Sequence, residues 1–281
     1  MADSIRVMTE NPLNAETQVE HLRSWITPNR VFFSRNQSRI MTEAVNIDDW
    51  RLTIDGEVQK PITFTLQEIL RMPKVVAANT FECSGNGRSL LDKPAKGNPW
   101  TIGGVGNAVW GGIWLRELLE DAGPTDKARH VAFEGFDKSG RSAGIDFVRS
   151  IPIEKAMSTT LLAYEMNGEA LPPAHGYPLR GLPLGWTGAN CVKWLSRITV
   201  MDHPFEGYFM DKVYRVFQEG QQPTDGDAVT SIPLKSIIVQ PANGEEVTRG
   251  QVVILGAAYG GDDEVAGVEV SFDRGESWRA A

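Results

Sequence analysis

Short runs of alternating apolar and polar residues recur through the first two thirds of the chain, and this period of two residues is typical of half-buried β-strands. The clearest run places Trp50, Leu52 and Ile54 on one face, and the Asp55-Gly56 pair that follows predicts a turn into a return strand beginning at Glu57. Further strands are predicted at 75–81, 130–136, 160–165 and 191–200. Asn167-Gly168 predicts a second tight turn.

A period near 3.6 residues appears only in short segments, which predict short helices. Thr65 and Glu68 have the spacing of a capping box and predict a helix that ends before Pro73. Ile113, Leu115, Leu118 and Leu119 form one apolar face, and Gly123-Pro124 closes that segment. A further short helix is predicted around 16–25.

The pattern changes near residue 229, after an irregular aromatic and polar stretch at 205–229 that reads as a linker. Strands are predicted at 235–239, 251–258 and 265–272, with turns between them, and such regular short strands indicate a β-sandwich. We therefore predict two domains, 1–228 and 229–281. About fifty residues are too few for a complete immunoglobulin-like sandwich of about one hundred, so the second domain is expected to be partial or to be completed by a neighbour.

The overall charge narrows the range of partners. The 281 residues carry a net charge of −8 without a basic block, which argues against nucleic acid or an anionic membrane surface as partner. No apolar run reaches transmembrane length. Residues 1–25 contain neither an apolar signal core nor twin arginines, so the chain as written is expected to be cytoplasmic, or periplasmic if a leader was removed.

The most unusual stretch is the turn that follows the strand at 75–81. Cys83 stands at the end of that strand, Gly85 and Gly87 allow a sharp turn, and Arg88 follows. A thiolate beside a guanidinium suits a soft metal and an anionic substrate. The alternative is a free cysteine that only packs in the core. Cys191 is the second cysteine, and one pair makes no disulfide framework.

Three other segments carry chemistry-bearing side chains in stiff or aromatic surroundings. They are Phe32 to Gln37, His175 to Arg180, and the loop 185–190 with the strand that follows. The residues alone favour a satisfied core position for His175 and a solvated strand position for Lys193, and they are compatible with an Arg35 that extends from a strand to water. The glycine-rich stretch 103–112 does not place a GxGxxG pattern between a strand and a helix, which excludes a nucleotide-binding fold of that kind.

Taken together, these segments resemble the sulfite oxidase family of molybdenum enzymes, from about Phe32 to Trp278. The family pattern of an aromatic pair followed by Arg-Asn-His corresponds to Phe32-Phe33-Ser34-Arg35-Asn36-Gln37, and its Cys-x-Gly-Asn-x-Arg loop to residues 83–88. Its Ala-Tyr-Glu-Met-Asn-Gly, His-Gly-Tyr-Pro-Leu-Arg and Val-Lys-Trp-Leu motifs stand at 163–168, 175–180 and 192–195. The loop variants look more like bacterial sulfite-oxidase-like and sulfane-dehydrogenase-like members than like the animal enzyme.

The resemblance implies an α+β fold: a mixed α/β molybdopterin-binding catalytic domain followed by a partial immunoglobulin-like β-sandwich dimerisation domain. It implies one molybdopterin with one molybdenum per chain, ligated by Cys83, and no haem domain in this chain. The implied cofactor-binding residues are Phe33, Ser34, Arg35, Asn36, Gln37, Cys83, His175, Arg180, Cys191, Val192 and Lys193. The implied catalytic pocket comprises Cys83, Arg35, Arg88, Trp100 and Phe147.

Three positions depart from the family pattern. Phe147 stands where the family has an active-site tyrosine, and Gln37 replaces the histidine of the first motif. An arginine that the dimerisation domain usually contributes would fall near the acidic segment 261–264. Together these changes remove a donor, a titratable group and a positive charge, which weakens oxyanion stabilisation.

The resemblance implies oxo transfer, with oxidation of sulfite or a related sulfur oxyanion to sulfate as the leading expectation. Electrons would pass to a separate acceptor such as a c-type cytochrome, and a homodimer is expected, with no nucleic acid or membrane partner. Two alternatives stay open: a reductase of a sulfoxide or another small oxidised substrate, and a catalytically degenerate pterin-binding protein.

Overall fold

The computed structural model describes residues 5–38, 40, 46–93, 96–137, 145–218, 220–222 and 225–281. In this part of the chain the α-helices are α1 (Leu66–Leu70), α2 (Leu115–Ala122), α3 (Ile153–Thr159) and α4 (Tyr208–Asp211). The strands are β1 (Arg6–Glu10), β2 (Leu13–Glu16), β3 (Arg51–Gly56), β4 (Ile62–Thr65), β5 (Val75–Glu82), β6 (Val105–Trp114), β7 (His130–Gly135), β8 (Val148–Pro152), β9 (Thr160–Met166), β10 (Glu169–Ala170), β11 (Arg180–Pro183), β12 (Leu195–Met201), β13 (Arg215–Val216), β14 (Asp227–Ala228), β15 (Lys235–Gln240), β16 (Leu255–Tyr259), β17 (Glu269–Val270) and β18 (Arg279–Ala280).

One five-stranded sheet has the order β10-β9-β6-β5, with β11 paired to β9, and its pairs are antiparallel. Its centre is the glycine-rich stretch, which forms the long strand β6. A Cβ at Gly112 would lie 2.1 Å from the carbonyl oxygen of Leu162, and one at Gly106 would lie 2.6 Å from the ring of Phe32. Only glycine therefore lets β6 pack this closely against its neighbours.

The other five-stranded sheet has the order β4-β3-β12-β7-β8, in which β12 runs parallel to β3 and the remaining pairs are antiparallel. The alternation predicted for β3 is observed, since Leu52 and Ile54 are fully buried and Arg51 is exposed. Leu118 and Leu119 of α2 pack into the same core cluster. The fold is thus α+β, with helices packed on one antiparallel sheet and one mostly antiparallel sheet.

Local signals located several elements correctly. The capping box is confirmed, because the Thr65 hydroxyl accepts from the Glu68 backbone N–H and the Glu68 carboxylate accepts from the Thr65 backbone N–H. The Asn167-Gly168 turn is confirmed between β9 and β10, with φ of +54° and +80° at its two residues. Gly123, with φ of +66°, ends α2.

Other predictions were wrong in extent. The helix expected over 16–25 is a 3₁₀ helix, Val19–Arg23, and residue 16 belongs to β2. The strand expected over 191–200 begins at Leu195, because residues 191–194 turn around the site and Trp194 has a φ of +53°. The strands expected at 251–258 and 265–272 shorten to β16 and β17.

The second unit consists of the antiparallel pairs β15-β16 and β17-β18. It contacts the first unit through charged and backbone groups: Lys155 forms an ion pair of 2.8 Å with Asp262, and Trp186 forms an isolated bridge with Ser231. The acidic segment 261–264 therefore meets a lysine of the first unit. Among the described residues, no helix has the length and apolar character that crossing a membrane requires.

Candidate active site

A cleft with an empty volume of about 710 Å³, counting its open mouth, lies where strands of both large sheets end. Cys83 follows β5 and Arg180 begins β11 of one sheet, while Phe147 precedes β8 and Lys193 precedes β12 of the other. The lining residues are Phe33, Arg35, Gln37, Phe81, Cys83, Ser84, Asp137, Phe147, Ala174, His175, Arg180, Gly188, Ala189, Cys191, Lys193, Trp194 and Tyr214.

Cys83 is buried on this wall, and its loop is fixed by backbone hydrogen bonds. Its N–H donates to Gly104 at 2.8 Å, and its carbonyl accepts from Asn86 at 2.9 Å. Burial raises the pKa of the Cys83 thiol, although a hydrogen bond from the backbone of Gly85 and the charges of Arg35 and Arg88 act in the opposite direction. A soft cation at the sulfur would convert this thiol to a bound thiolate.

The side chains of Arg180 and Lys193, together with the neutral imidazole of His175, form a buried wall that we call the cationic wall. Burial is the largest cause that lowers the pKa of His175 to about 3, and the charges of Lys193 and Arg180 add to it. Burial and the charge of Arg180 likewise lower the pKa of Lys193 well below its usual value, and burial lowers that of Arg180 to about 10. Burial and mutual repulsion therefore disfavour the charged forms of these groups, and an anionic ligand would stabilise them.

Arg180 is held by carbonyl groups and aromatic rings rather than by a carboxylate. Its guanidinium donates to the carbonyl oxygens of His175 at 3.0 Å and Cys191 at 3.2 Å. It lies 4.7 Å from the ring centroid of Phe81 and 5.3 Å from that of Trp110. Its Nε is buried and has no hydrogen-bond partner in the described part of the chain. This donor is available to a ligand.

Lys193 joins the cationic wall to the first motif. Its ammonium donates to the carbonyl oxygens of Arg35 at 3.2 Å and Ala174 at 2.8 Å, and also to the amide oxygen of Asn36. Asp137 is an acid of the cleft, and burial raises its pKa even though the Ser38 hydroxyl donates to it. Because burial favours the protonated form of Asp137, this acid offsets little of the positive charge of the cationic wall.

The other residues of the first and last motifs are arranged around this wall. Asn36 is buried and donates to the carbonyl of Leu13 at 2.6 Å and to the Ser34 hydroxyl at 3.0 Å. Asn36 and Ser34 therefore support the first motif from behind instead of lining the cleft. Phe33 lines the cleft, stacked on Phe81 at 5.6 Å between centroids. Burial raises the pKa of Cys191 to about 12, which keeps its thiol protonated.

Arg88 and Trp100 lie behind the cleft instead of among its lining residues. The Arg88 guanidinium covers the cysteine turn, since a Cβ at Gly85 would lie 2.6 Å from its Nη2, and it donates to the Asn98 carbonyl at 3.1 Å. Trp100 is buried edge-on to Phe33. Val192 is a core residue of the larger cluster. Arg88, Trp100 and Val192 thus pack behind the residues that line the cleft.

Sequence reasoning missed several lining residues, above all Tyr214, Asp137 and Ser84. Tyr214 lies in the stretch interpreted as a linker, yet its hydroxyl accepts a hydrogen bond of 2.6 Å from Gln37. The signal that could have drawn attention to it is the dense run of aromatic residues between 205 and 217. Asp137 and Ser84 had no comparable signal.

The donor set fits the group that the resemblance implies. Molybdopterin carries a phosphate and polar pterin edges, and the buried, mutually repelling cations with an unpartnered Arg180 Nε match an anionic ligand rather than a neutral one. Cys83 supplies the soft donor that molybdenum requires at the same cleft. No cluster of three or more His, Cys, Asp or Glu side chains suited to a free metal ion occurs in the described ranges. The metal would therefore arrive with its organic ligand.

Comparison with known proteins assigns both units. The family model of the oxidoreductase molybdopterin binding domain matches residues 39–209, and that of the Mo-co oxidoreductase dimerisation domain matches residues 226–281. The first match alone covers more than half of the chain. The boundary predicted between residues 228 and 229 stays a prediction.

Relatives extend the similarity over almost the whole chain. The chain is 36% identical to sulfite oxidase of Gallus gallus, over 99% of this chain and 63% of that protein, and 33% identical to sulfite oxidase of Arabidopsis thaliana, over 98% and 75%. The crystal structure of the sulfane dehydrogenase SoxCD from Paracoccus pantotrophus superposes with a TM-score of 0.84 at 31% identity, over 97% of this chain and 68% of that one. The chain thus spans less than two thirds of the Gallus gallus protein. The chain belongs to the sulfite oxidase family of molybdopterin-dependent oxidoreductases.

Proposed function

We propose that the protein oxidises sulfite to sulfate and passes the electrons to a separate acceptor, such as a c-type cytochrome. The observation that carries the proposal is the position of a buried Cys83 in one cleft with Arg35, Arg180 and Lys193. Overall, sulfite gains one oxygen atom from water, two protons are released, and two electrons leave to the acceptor.

The chain's own residues bind the cofactor in this proposal. Cys83 holds the molybdenum through its sulfur, while His175, Arg180 and Lys193 bind the phosphate and the pterin edge with forked or single hydrogen bonds. When bound, the molybdenum cofactor supplies two-electron oxo-transfer chemistry. Because His175 is neutral at ordinary pH, with a pKa lowered to about 3, one ring nitrogen donates and the other accepts.

Arg35 lines the cleft and provides positive charge for the substrate. Its Nη1 donates to the amide oxygen of Asn14 at 3.2 Å and to the carbonyl of Asn36, so the guanidinium is fixed before any ligand arrives. A preorganised charge in a partly dry site stabilises an oxyanion without reorganisation at the moment of reaction. Phe147, packed 4.8 Å from Phe209 between centroids, presents an apolar surface to the same cleft.

The test uses protein purified from cells with an active molybdopterin pathway and ample molybdate. We expect bound molybdenum near one atom per chain, and sulfite-dependent reduction of ferricyanide and of cytochrome c with one sulfate formed per turnover. If the molybdenum-loaded protein instead oxidises a reduced dye when a sulfoxide is added, the protein is a reductase and the proposed direction is wrong. Protein that holds no molybdenum under these conditions would be a non-catalytic family member.

A second candidate substrate is a sulfane sulfur, and the apolar character of the Phe147 wall favours it. Phe147 contacts the rings of Phe209 and Tyr214 and has no polar atom to offer an oxyanion. The structural relative from Paracoccus pantotrophus is itself a sulfane dehydrogenase. A higher kcat/KM with a persulfide than with sulfite would favour this candidate over the first.

A further inference from the structure

The turn that carries Cys83 is held by the amide side chain of Asn86. The Asn86 Nδ2 donates to the Glu82 carboxylate at 2.8 Å, and its Oδ1 accepts from the Gly104 backbone N–H at 2.9 Å. The backbone of Cys83 is bonded to the same two residues, since its N–H donates to the Gly104 carbonyl at 2.8 Å and its carbonyl accepts from the Asn86 N–H at 2.9 Å. The Glu82 carboxylate therefore determines where the Asn86 amide lies, and Asn86 with Gly104 determines where the backbone of Cys83 lies.

Tyr259, the last residue of β16 in the second unit, bonds to this carboxylate. Its hydroxyl donates to the same Glu82 oxygen at 3.0 Å. Lys235, which is paired with Tyr259 across the β15-β16 ladder, donates to that oxygen as well. Burial and the charge of Glu82 raise the pKa of Tyr259, so its hydroxyl keeps its proton and acts as the donor. One oxygen thus receives one donor from the Cys83 turn and two from the other unit.

The ring of Tyr259 is fixed at the point where the two units meet. It belongs to a small buried cluster with Ile232 and Val105, the first residue of β6. Val105 follows Gly104 directly and is the register partner of Glu82 in the β5-β6 pair. The position of the phenol is therefore set by β16 and by this cluster, so a displacement of the second unit displaces the hydroxyl from the carboxylate.

A contact that served only to hold the units together would not need to reach the residue before the metal ligand. The ion pair of Lys155 with Asp262 is a contact of that kind, and the Asp262 side chain is 54% exposed. Glu82 is 1% exposed and directly precedes Cys83 in the chain. A buried carboxylate that loses a donor is left partly unsatisfied, and the groups bonded to it rearrange with it.

We propose that Tyr259 is a positioning residue, which holds the Cys83 turn through Glu82 and Asn86 so that retention of the molybdenum cofactor depends on the placement of the second unit. Tyr259 itself is not among the residues that line the cleft, so it acts only through the turn. The inference goes beyond the proposed function, because it holds for any substrate. It rests on that function in one respect, the role of Cys83 as the metal ligand.

The first measurement uses the cofactor-free chain. Iodoacetamide alkylates Cys83 and Cys191, the two thiols of the chain, and mass spectrometry of their peptides gives the two rates separately. Both thiols are buried and line the cleft, so each is labelled when its segment opens. We expect Tyr259→Phe to raise the rate at Cys83 about tenfold, the range for losing a hydrogen bond to a charged acceptor, and to leave the rate at Cys191 unchanged. Equal increases at both thiols would mean that the variant only loosens the whole protein, and would overturn the inference.

The second measurement uses the molybdenum-loaded protein. We expect Tyr259→Phe to release molybdenum during dialysis about tenfold faster than wild type, the lower end of the usual effect of losing a residue that orients a metal ligand. Tyr208→Phe is the matched control, because Tyr208 is an exposed residue of α4, and it should release molybdenum at the wild-type rate. A wild-type release rate in Tyr259→Phe would overturn the inference even with faster labelling of Cys83.

A double-mutant cycle tests whether Tyr259 acts through Glu82. Glu82→Gln keeps the shape of the side chain and removes its charge. If the carboxylate transmits the effect, Tyr259→Phe raises the labelling rate of Cys83 in the wild-type background and adds little in the Glu82→Gln background. Additive effects would overturn the inference, because the phenol would then reach the turn by another route.

Failure of the proposed function gives a different result. A wild-type protein that holds molybdenum but oxidises no sulfite removes the proposed reaction, while the labelling and release rates still decide the role of Tyr259. If sulfite is oxidised and both rates in Tyr259→Phe equal those of wild type, the reaction stands and the inference is overturned.

Discussion

Lys235, on β15 of the second unit, donates a hydrogen bond of 2.9 Å to the carboxylate of Glu82, the residue immediately before Cys83. The carboxylate is only 1% exposed, and the same oxygen accepts from Asn86 at 2.8 Å and from the Tyr259 hydroxyl at 3.0 Å. Two of these three donors belong to the second unit. The segment that carries Cys83 is therefore fixed partly by side chains from outside the molybdopterin-binding domain.

This relationship predicts a loss of stability when the cation is removed. Lys235→Met leaves a buried carboxylate with two neutral donors, and we expect the free energy of unfolding to fall by about 1–3 kcal/mol. Denaturant unfolding of the wild type and the variant measures the difference. The expected loss of unfolding free energy is smaller than for a fully buried ion pair because the Lys235 side chain is 34% exposed.

The matched control is another lysine–glutamate pair of the first unit. Lys74 pairs with Glu165, and the two side chains are 44% and 25% exposed. Because exposed ion pairs contribute about 0–1 kcal/mol, Lys74→Met should change stability little. Equal effects at Lys74 and Lys235 would mean that burial of Glu82 does not govern the interaction.

The capping box at α1 predicts a cost for a single hydroxyl. Thr65→Ala removes the acceptor of the Glu68 backbone N–H, a contact of 3.2 Å, and we expect it to destabilise the protein by about 1 kcal/mol. Thr65→Ser keeps the oxygen and should lie near wild type in the same thermal or denaturant assay. If both variants lose stability equally, the methyl group and not the cap is responsible.

Features governed by neighbours in the chain could be predicted from the sequence. The cap at Thr65, the turn at Asn167-Gly168 and the glycines after Cys83 depend on residues within a few positions, so their chemistry is visible in a short window. The motif residues Arg35, Cys83, His175 and Lys193, chosen by resemblance, all line one cleft in the structure.

Features governed by distant pairing could not be predicted. Gln37 and Tyr214 are 177 positions apart, and their contact exists only because two sheets bring the first motif and the aromatic stretch together. The resemblance implied that Arg88 lines the substrate pocket, whereas its guanidinium lies over Gly85 and Gly97 and is not among the residues that line the cleft. Spacing along a turn does not determine on which side of it a long side chain lies.

The depressed pKa of His175 predicts how the stability of the cofactor-free protein varies with pH. Burial, with the charges of Lys193 and Arg180, lowers the folded-state pKa to about 3 from 6.5. Between these values the unfolded chain binds a proton that the folded chain does not, so this group lowers stability as the pH falls through about 6.5. Below about 3 the loss no longer grows.

We therefore expect the melting temperature of cofactor-free protein to fall between pH 7 and pH 5, and His175→Gln to reduce that slope. His203→Gln, which removes an exposed histidine that contacts Asp202, serves as the comparison for the loss of one imidazole. A His175→Gln variant with the wild-type slope would show that the imidazole is protonated, or solvated, in the folded protein.

Replacing the sulfur at position 83 tests the centre of the proposed site. Cys83→Ser keeps the size of the side chain and the backbone bonds to Gly104 and Asn86, so the melting temperature should stay within a few degrees of wild type. The hydroxyl oxygen is a harder donor than a thiolate sulfur, stays protonated at neutral pH, and is a poor ligand for molybdenum. We expect most bound molybdenum to be lost and sulfite oxidation to fall by more than about 100-fold, beyond the effect of an outer-shell substitution. Metal analysis and the ferricyanide assay on the same preparation measure both quantities. A variant that retains molybdenum and full turnover would place the metal ligand elsewhere in the cleft.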